Sequence, residues 1–162
     1  MFAKTKIRAA LPAVLSLLCG AAGAATTCTM AISNVVFGGY DVFSPASLDT
    51  SATVIVTCSR DGGPQFMNVT IAIGPGAHGG STASRKMKMN GSGDFLGYNL
   101  FRDAGRTAVW GEIPGLDAFT QTLAIHNNSS AQLTATIFGR IPAGQDVAKG
   151  TYADSVVVTV TP

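Results

Sequence analysis

Three glycines and one aspartate give the sequence its most suggestive chemical spacing. Gly74, Gly76 and Gly79 form a literal G-x-G-x-x-G, and Asp94 follows Gly74 by twenty residues, as in a dinucleotide-binding fingerprint. That fingerprint requires the glycines to open a helix inside a βαβ unit. Pro75 lies within the motif and disfavours a helix there. We therefore expect a glycine-rich hairpin loop rather than a nucleotide site.

The other residues with catalytic or metal-binding potential are scattered along the chain. Neither histidine beyond the N-terminal segment, His78 or His126, has a partner at metal-ligand spacing, and no C-x-x-C, H-E-x-x-H or G-x-S-x-G motif occurs. Four carboxylates lie among turn signals, where aspartate usually hydrogen-bonds the backbone; they are Asp94, Asp103, Glu112 and Asp117. A glycosidase-like pair among them stays open, because sequence does not show spatial adjacency. We expect no catalytic residue, no metal, no cofactor and no enzymatic activity.

The cysteines are better placed for a disulfide than for catalysis. Of the 3 cysteines, Cys19 lies in an N-terminal apolar segment, whereas Cys28 and Cys58 lie beyond it. A bridge between the last two suits an exported protein, since exported proteins mature in an oxidising compartment. Its loop of about thirty residues would stabilise the fold by roughly 3–4 kcal/mol in the chain-entropy model. Two independent buried thiols are the alternative.

The N-terminus has the order of a secretory signal peptide. Basic residues within positions 4–8 precede an apolar run over 9–18 and a small-residue stretch over 20–25. Cleavage after Ala24 or after Ala25 fits equally well, so we predict a signal peptide at 1–25 and one domain at 26–162. Cys19 is a poor lipoprotein cysteine because Leu18 precedes it. The apolar run is about half of the ~20 residues that span a bilayer, so no transmembrane anchor is expected.

Charge gives no support to nucleic acid as a partner. Cleavage of the predicted signal peptide removes Lys4, Lys6 and Arg8 from the 11 basic residues and none of the 9 acidic ones, which leaves a net charge of −1. A near-neutral domain with scattered charges offers no basic surface for a phosphate backbone. The remaining ~137 residues are enough for one domain with a substantial core.

Apolar residues recur with period two far more often than with the helical period. The run 67–73 alternates apolar residues with polar or small ones, and the run 155–161 repeats this pattern, which is typical of strands with one buried face. Runs 53–58, 97–101 and 133–138 are rich in β-branched or aromatic residues and predict further strands. Glycine and proline clusters between the runs predict turns. The predicted fold is all-β: a single immunoglobulin-like antiparallel β-sandwich.

A basic cluster alternates charge with methionine. Arg85, Lys86 and Lys88 are interleaved with Met87 and Met89. The pattern predicts an edge strand with its charges on the solvent face, where they would discourage uncontrolled edge pairing. Contact with an acidic surface is the functional alternative.

Four segments resemble the spore coat protein U domain family in order and spacing. They are FGGYD at 37–41, LGYNLFRD at 96–103 followed by VWG at 109–111, FGRIPAGQ at 138–145, and GTYADS at 150–155. The family includes subunits of archaic chaperone-usher pili. The resemblance implies an immunoglobulin-like fold that lacks its final strand, and the sequence stops at Pro162, directly after the last predicted strand. An open edge of that kind can accept a β-strand from another chain.

The resemblance also implies the partners and the location. They are a periplasmic pilus chaperone, an usher and other pilin or coat subunits, joined by β-strand addition, with the protein in the periplasm during transit and then at the cell surface. Self-polymerising pilins carry an alternating apolar extension before the first cysteine, whereas only Thr26 and Thr27 precede Cys28 here. We therefore expect a terminal or capping subunit, or a coat protein, that accepts a strand and supports adhesion or biofilm formation.

A binding module is the alternative function. Glycine-rich loops around 74–80 and 90–97 could form the tip of an adhesin or a carbohydrate-binding surface. The first loop lacks aromatic residues, whereas Phe95 lies in the second. The pilus or coat subunit is the preferred interpretation.

Overall fold

The protein is built from antiparallel β-strands. The computed structural model describes residues 25–91 and 93–162, and no helix forms within those ranges. The predicted signal peptide lies outside the described residues except for Ala25. The strands are β1 (Thr26–Ile32), β2 (Leu48–Arg60), β3 (Gln65–Ile73), β4 (Lys86–Met89), β5 (Phe95–Gly97), β6 (Asn99–Phe101), β7 (Phe119–Ile125), β8 (Ser129–Ile141), β9 (Tyr152–Ala153) and β10 (Val158–Thr161).

These strands form three open sheets. The largest has the order β1-β2-β8-β6, the second β10-β3-β7, and the third, a small one, β5-β4-β9. Every strand pair between neighbours is antiparallel. The predicted all-β, immunoglobulin-like antiparallel sandwich is confirmed.

The core lies between the two larger sheets. Val54 and Val56 of β2 and Val69 and Ile71 of β3 are fully buried, because alternate residues of each strand point inward. Trp110, also fully buried, donates its indole N–H to the carbonyl of Ile71 at 2.8 Å. The predicted runs 53–58, 67–73 and 133–138 all fall within the strands that supply this core.

Several elements differ from the sequence expectation. The predicted run 97–101 divides into β5 and β6 at Tyr98, and the run 155–161 forms regular pairs only from Val158 onward. Strands β1 and β7 were not predicted. Their alternation is present but weak: in β1, for example, Cys28, Met30 and Ile32 alternate with two threonines and an alanine.

The basic cluster was interpreted wrongly in two respects. β4 is not an edge strand, because it pairs with β5 on one side and β9 on the other. Lys86 and Lys88 are exposed as expected, but Arg85 is buried, with 1% of its surface exposed. A period-two pattern cannot distinguish a charged solvent face from a cation that the fold encloses.

Arg85 is held by backbone and side-chain oxygens rather than by a carboxylate. Its Nε donates to the carbonyl of Gly74 at 2.8 Å, and Nη2 donates to the carbonyls of Ile73 and Trp110 at 2.7 Å each. Nη1 donates to Asn99 Oδ1 at 2.7 Å. Burial lowers the pKa of this guanidinium from its ordinary value. Arg85 thus joins the end of β3 to β6, which contains Asn99, and to the segment that contains Trp110.

Candidate functional site

The free edge of β1 presents unpaired backbone groups to one side of the sandwich. β1 is the outermost strand of its sheet and pairs only with β2. Ser33 N donates to Thr53 O at 3.0 Å, so Ser33 and every second residue before it form the backbone hydrogen bonds to β2. By the alternation of an antiparallel ladder, Cys28, Met30 and Ile32 then direct their N–H and C=O groups to the free edge.

β10 presents a matching edge in the opposite sheet. It is the outermost strand beside β3, and Gly74 N donates to Val157 O at 2.9 Å. The same alternation therefore directs the backbone groups of Val156, Val158 and Val160 away from β3. Two strand edges, each with an inward row of apolar side chains, face the gap between the sheets.

The gap between these edges is an apolar groove, which we call the edge groove. It encloses about 640 Å³ and is lined by Met30 and Ile32 on the β1 side and by Val156 and Val158 on the β10 side. Met30 is 41% and Ile32 is 45% exposed, although both side chains point toward the core. Such volumes are typical of binding cavities. A partner that covered these side chains would complete the core.

The disulfide secures the β1 wall of the edge groove. Cys28 and Cys58 lie directly opposite each other in the β1–β2 ladder, with their Cα atoms 4.0 Å apart and a bond between their sulfurs. Cys58 is fully buried, whereas Cys28, two residues before Met30 of the groove wall, is half-buried. The bridge thus holds an otherwise exposed edge strand on its sheet.

Tyr98 and Asp154 lie at one end of the edge groove, which we call its lower end. The Tyr98 hydroxyl donates to Asp154 Oδ2 at 2.7 Å, and Phe37 packs edge-on against the Tyr98 ring with 5.8 Å between ring centroids. Burial, reinforced by the hydrogen bond to Asp154, raises the pKa of Tyr98 above its ordinary value. All three residues line the groove.

The residues of the G-x-G-x-x-G motif form a compact loop beside this site. The segment after β3 contains turns and bends, and no helix follows it within the described residues. Gly76 has φ +84°, and a Cβ there would collide with the Asp154 carboxylate. Ala77 N donates to Asp154 Oδ1 at 3.0 Å. The motif therefore forms a loop packed around Asp154, as expected, but the loop is not a hairpin, because β3 before it and β4 after it lie in different sheets.

The two glycine-rich loops of the alternative interpretation come together. The rings of His78 and Phe95 have centroids 6.0 Å apart, and a shallow polar cavity of about 620 Å³ beside them is lined by His78, Lys88, Asn90 and Asp154. Ser92, within the second loop, is outside the described residues.

Two of the four scattered carboxylates, Asp103 and Asp117, cap backbone N–H groups. Asp103 accepts bonds from Thr107 N and Ala108 N, and Asp117 accepts from Ile113 N at 2.6 Å. In residues 25–91 and 93–162, no three His, Cys, Asp or Glu side chains group closely enough to hold a metal ion, and no helix could span a bilayer.

The motif residues behind the family resemblance meet below the edge groove. The Tyr40 hydroxyl donates to Pro142 O at 3.0 Å and accepts from Gln145 N at 2.9 Å. The Gln145 side-chain amide bonds both backbone groups of Gly97, at 2.7 Å to its N–H and 2.9 Å to its C=O. Segments far apart in sequence thus lock the loops that continue the two groove walls.

Comparisons with known proteins agree with this architecture. Protein U of Myxococcus xanthus is 31% identical over 128 residues, which cover 76% of this chain and 62% of that protein. The chain therefore spans less than two thirds of the length of this curated relative.

A solved structure with a similar fold comes from a pilus system. It is the CsuC-CsuE chaperone-tip adhesion subunit pre-assembly complex from archaic chaperone-usher Csu pili of Acinetobacter baumannii. The TM-score is 0.53 at 20% identity, and the match covers 84% of this chain and 39% of the matched chain. At that identity the likeness is one of fold alone.

The family comparison covers nearly the whole chain. The model described as "Spore Coat Protein U domain" matches residues 14–159, a range that contains every strand from β1 to β9 and reaches into β10. This protein belongs to the spore coat protein U domain family.

Proposed function

We propose that this protein is an exported structural subunit of a cell-surface assembly, either an archaic chaperone-usher fimbria or a spore-coat-like layer. The edge groove is the observation that carries the proposal. In it the subunit accepts a β-strand from a chaperone or a neighbouring subunit. Adhesion or biofilm formation is the consequence of the assembled surface.

The backbone of the edge groove supports strand addition. The free N–H and C=O groups of Val156, Val158 and Val160 form one half of a ladder, and a strand laid beside them supplies the other half. The valine side chains on the same residues are half-buried. A donor with alternating apolar residues would therefore satisfy the edge and complete the core in one step.

The kind of partner follows from the lining of the edge groove. Its walls are mainly apolar, with Ser33, Asn34 and Asp154 as the polar members. Burial of apolar area is then the main driving force for binding. Family membership and the fold of the Csu pilus complex support a chaperone and other subunits as the donors. Export through the predicted signal peptide would bring the protein to them.

Strand binding is tested with two soluble peptides of equal composition, one alternating valine with threonine and one with those residues in blocks. The alternating peptide should raise the melting temperature of the mature protein, because a ligand at 100 times its Kd adds about 2.7 kcal/mol of stability. The blocked peptide should have a much smaller effect. A stable monomer with no shift for either peptide would contradict the proposal.

A pair of substitutions on adjacent residues of β10 provides the matched control. Val158→Asp places a charge in the edge groove, whereas Thr159→Asp places the same charge on the outer face of the strand. The first should abolish the peptide effect and the second should preserve it. When each variant is expressed together with a pilus chaperone, the chaperone should capture Thr159→Asp and should not capture Val158→Asp.

A second candidate function rests on the contact between the two glycine-rich loops. The polar cavity beside His78 and Phe95 would suit a carbohydrate-binding or adhesive tip. A glycan-array signal that is lost in Phe95→Ala and kept in Val158→Asp would favour this function over strand acceptance.

A further inference from the structure

A second cavity lies beyond the lower end of the edge groove. It also encloses about 640 Å³, and its walls are two irregular segments, 35–43 and 147–152. Its floor includes Leu96 and Ile141, which are 3% and 1% exposed. We call it the anchor cavity. Its floor is thus formed by residues of the buried core.

The anchor cavity is continuous with the edge groove. Val35, Phe37, Met87 and Tyr152 line both. The continuity arises because each groove wall leads into the cavity along the chain, through residues 33–37 on one side and through β9 on the other. A chain segment that follows the groove downward therefore reaches the cavity without leaving the surface.

Hydrogen bonds fix the first cavity wall in the free protein. The Thr50 hydroxyl donates to Val36 O at 2.8 Å, which keeps this wall against β2. The Tyr40 hydroxyl, bonded to the backbone of Pro142 and Gln145, holds the same wall from below. A preorganised wall lowers the ordering cost of binding.

The second wall is also fixed, and the rim is apolar. The Tyr152 hydroxyl donates to Ala148 O at 2.7 Å, and Asn90 N donates to Thr151 O at 2.9 Å. Val36 and Phe43, both in the first wall, are 70% and 91% exposed. The cavity thus combines a rigid frame with uncovered apolar side chains.

We propose that the anchor cavity receives a large apolar side chain from the same strand that fills the edge groove. This inference rests on the proposed function and specifies its partner. A strand antiparallel to β10 passes Val160, Val158 and Val156 in turn and then arrives at Tyr152, where the cavity begins. Inward-facing side chains repeat every ~6.6–6.8 Å along a strand. Tyr152 lies four residues before Val156, so the anchor is the second inward residue after the one opposite Val156, and the position opposite Asp154 lies between them.

The chemistry of the cavity specifies the anchor residue. Aromatic side chains bury about 150–250 Å² each, and their rigid rings lose little conformational entropy on binding. Phenylalanine or a long aliphatic residue suits a cavity floored by Leu96 and Ile141. The donor is therefore a strand of alternating apolar residues that ends in a bulky one, rather than a uniform strand.

The test extends the chain itself with a donor strand. After Pro162, an Asn-Gly turn leads into about nine residues that alternate valine and threonine and return along β10. Two versions differ only at the next inward position, which is phenylalanine in one and serine in the other. The serine version should melt above the unextended protein because it fills the edge groove. The phenylalanine version should melt roughly 5 °C higher still.

One substitution separates the cavity from the groove. Val36 lines the anchor cavity and not the edge groove, and its exposure means that Val36→Asp should not prevent folding. This variant should lose the extra gain from phenylalanine and keep the gain from the strand. Val157→Asp, at an exposed valine outside both sites, should keep both gains.

The outcomes distinguish the two proposals. If the serine version is stabilised and phenylalanine adds nothing, the anchor cavity has another role and strand acceptance stands. The anchor proposal is also wrong if the phenylalanine gain survives Val36→Asp, because the side chain then lies elsewhere. If neither version is stabilised, both proposals fail.

Discussion

Tyr98 and Asp154 are joined by a hydrogen bond of 2.7 Å that connects the strands below the sandwich to the segment leading into β10. Tyr98 is 7% exposed, and Asp154 also accepts a bond from Ala77 N at 3.0 Å. This partly buried contact thus fixes the lower end of the edge groove and the glycine loop beside it. The strength of the Tyr98–Asp154 hydrogen bond therefore affects how well the groove keeps its shape without a partner.

The Tyr98 phenol should make the protein sensitive to alkali. Its pKa is raised in the fold, so the unfolded chain releases this proton first, near the ordinary pKa of about 10. The contribution to stability is complete below that pH and is lost progressively as the pH rises toward the folded-state pKa. The free energy of unfolding, measured with urea, should therefore fall above pH 10.

Tyr98→Phe separates this effect from general alkaline damage. The variant should be about 1–2 kcal/mol less stable at neutral pH, because Asp154 loses a hydrogen bond. Its stability should then decline less steeply above pH 10 than that of the parent. In an absorbance titration at 295 nm, the Tyr98 phenol of the parent should ionise only as the protein unfolds. Parallel declines in the two proteins would refute the assignment.

Arg85 should be among the most costly positions to substitute. Arg85→Met removes the donors that reach Ile73 O and Trp110 O, and buried carbonyls without partners are expensive. We expect a loss of about 3–5 kcal/mol, as for a disrupted buried charged network. Lys86→Met, on the exposed side of the same segment, should stay within about 0.5 kcal/mol of the parent. Equal effects in urea unfolding would show that burial of Arg85 contributes little.

Sequence periodicity predicted the sandwich because the core strands follow it closely. Strand β3 buries Val69, Ile71 and Ile73 completely, so its alternation is unmistakable. The walls of the edge groove were harder to recognise. In β1 the inward residues Met30 and Ile32 remain 41% and 45% exposed, since the surface that would cover them belongs to no described part of this chain. Inward residues that stay partly exposed give a weaker alternation.

The features that sequence did not predict depend on contacts between distant segments. Nothing in the spacing of Tyr40 and Gln145 indicates that their bond frames the anchor cavity, because 105 residues separate them. The prediction for the basic cluster was wrong for a related reason, since four carbonyls and a side-chain amide, from four separate places in the chain, enclose Arg85. The family motifs contain many of these residues, but a motif does not show which contacts its residues make.

The Cys28–Cys58 bridge should stabilise the fold and the binding competence of the edge groove together. Cys28→Ser combined with Cys58→Ser should cost about 2–5 kcal/mol in urea unfolding, as for other disulfides of small exported domains. Because the bridge fastens β1, the same variant should bind the alternating peptide more weakly at temperatures where it is still folded. The reduced parent protein is the control and should behave like the double variant. An unchanged midpoint would mean that strand pairing alone holds β1.

Gly76 and Gly80 lie in one loop, and alanine substitutions at the two positions separate the cost of a collision with Asp154 from the cost of backbone strain. Gly76 and Gly80 have φ of +84° and +76°, so alanine at either position carries a similar cost of about 1 kcal/mol. Only at Gly76 would the added Cβ collide with the Asp154 carboxylate, whereas Gly80 has open space. Gly76→Ala should therefore be the more destabilising by at least about 1 kcal/mol.

A double-mutant cycle isolates the source of that difference. In an Asp154→Ala background the collision is absent, so Gly76→Ala should cost no more than Gly80→Ala. Urea unfolding of the single and double variants gives the coupling energy. If Gly76→Ala keeps its excess cost without the carboxylate, backbone conformation alone requires the glycine, and Asp154 acts only through Tyr98 and the backbone of the loop.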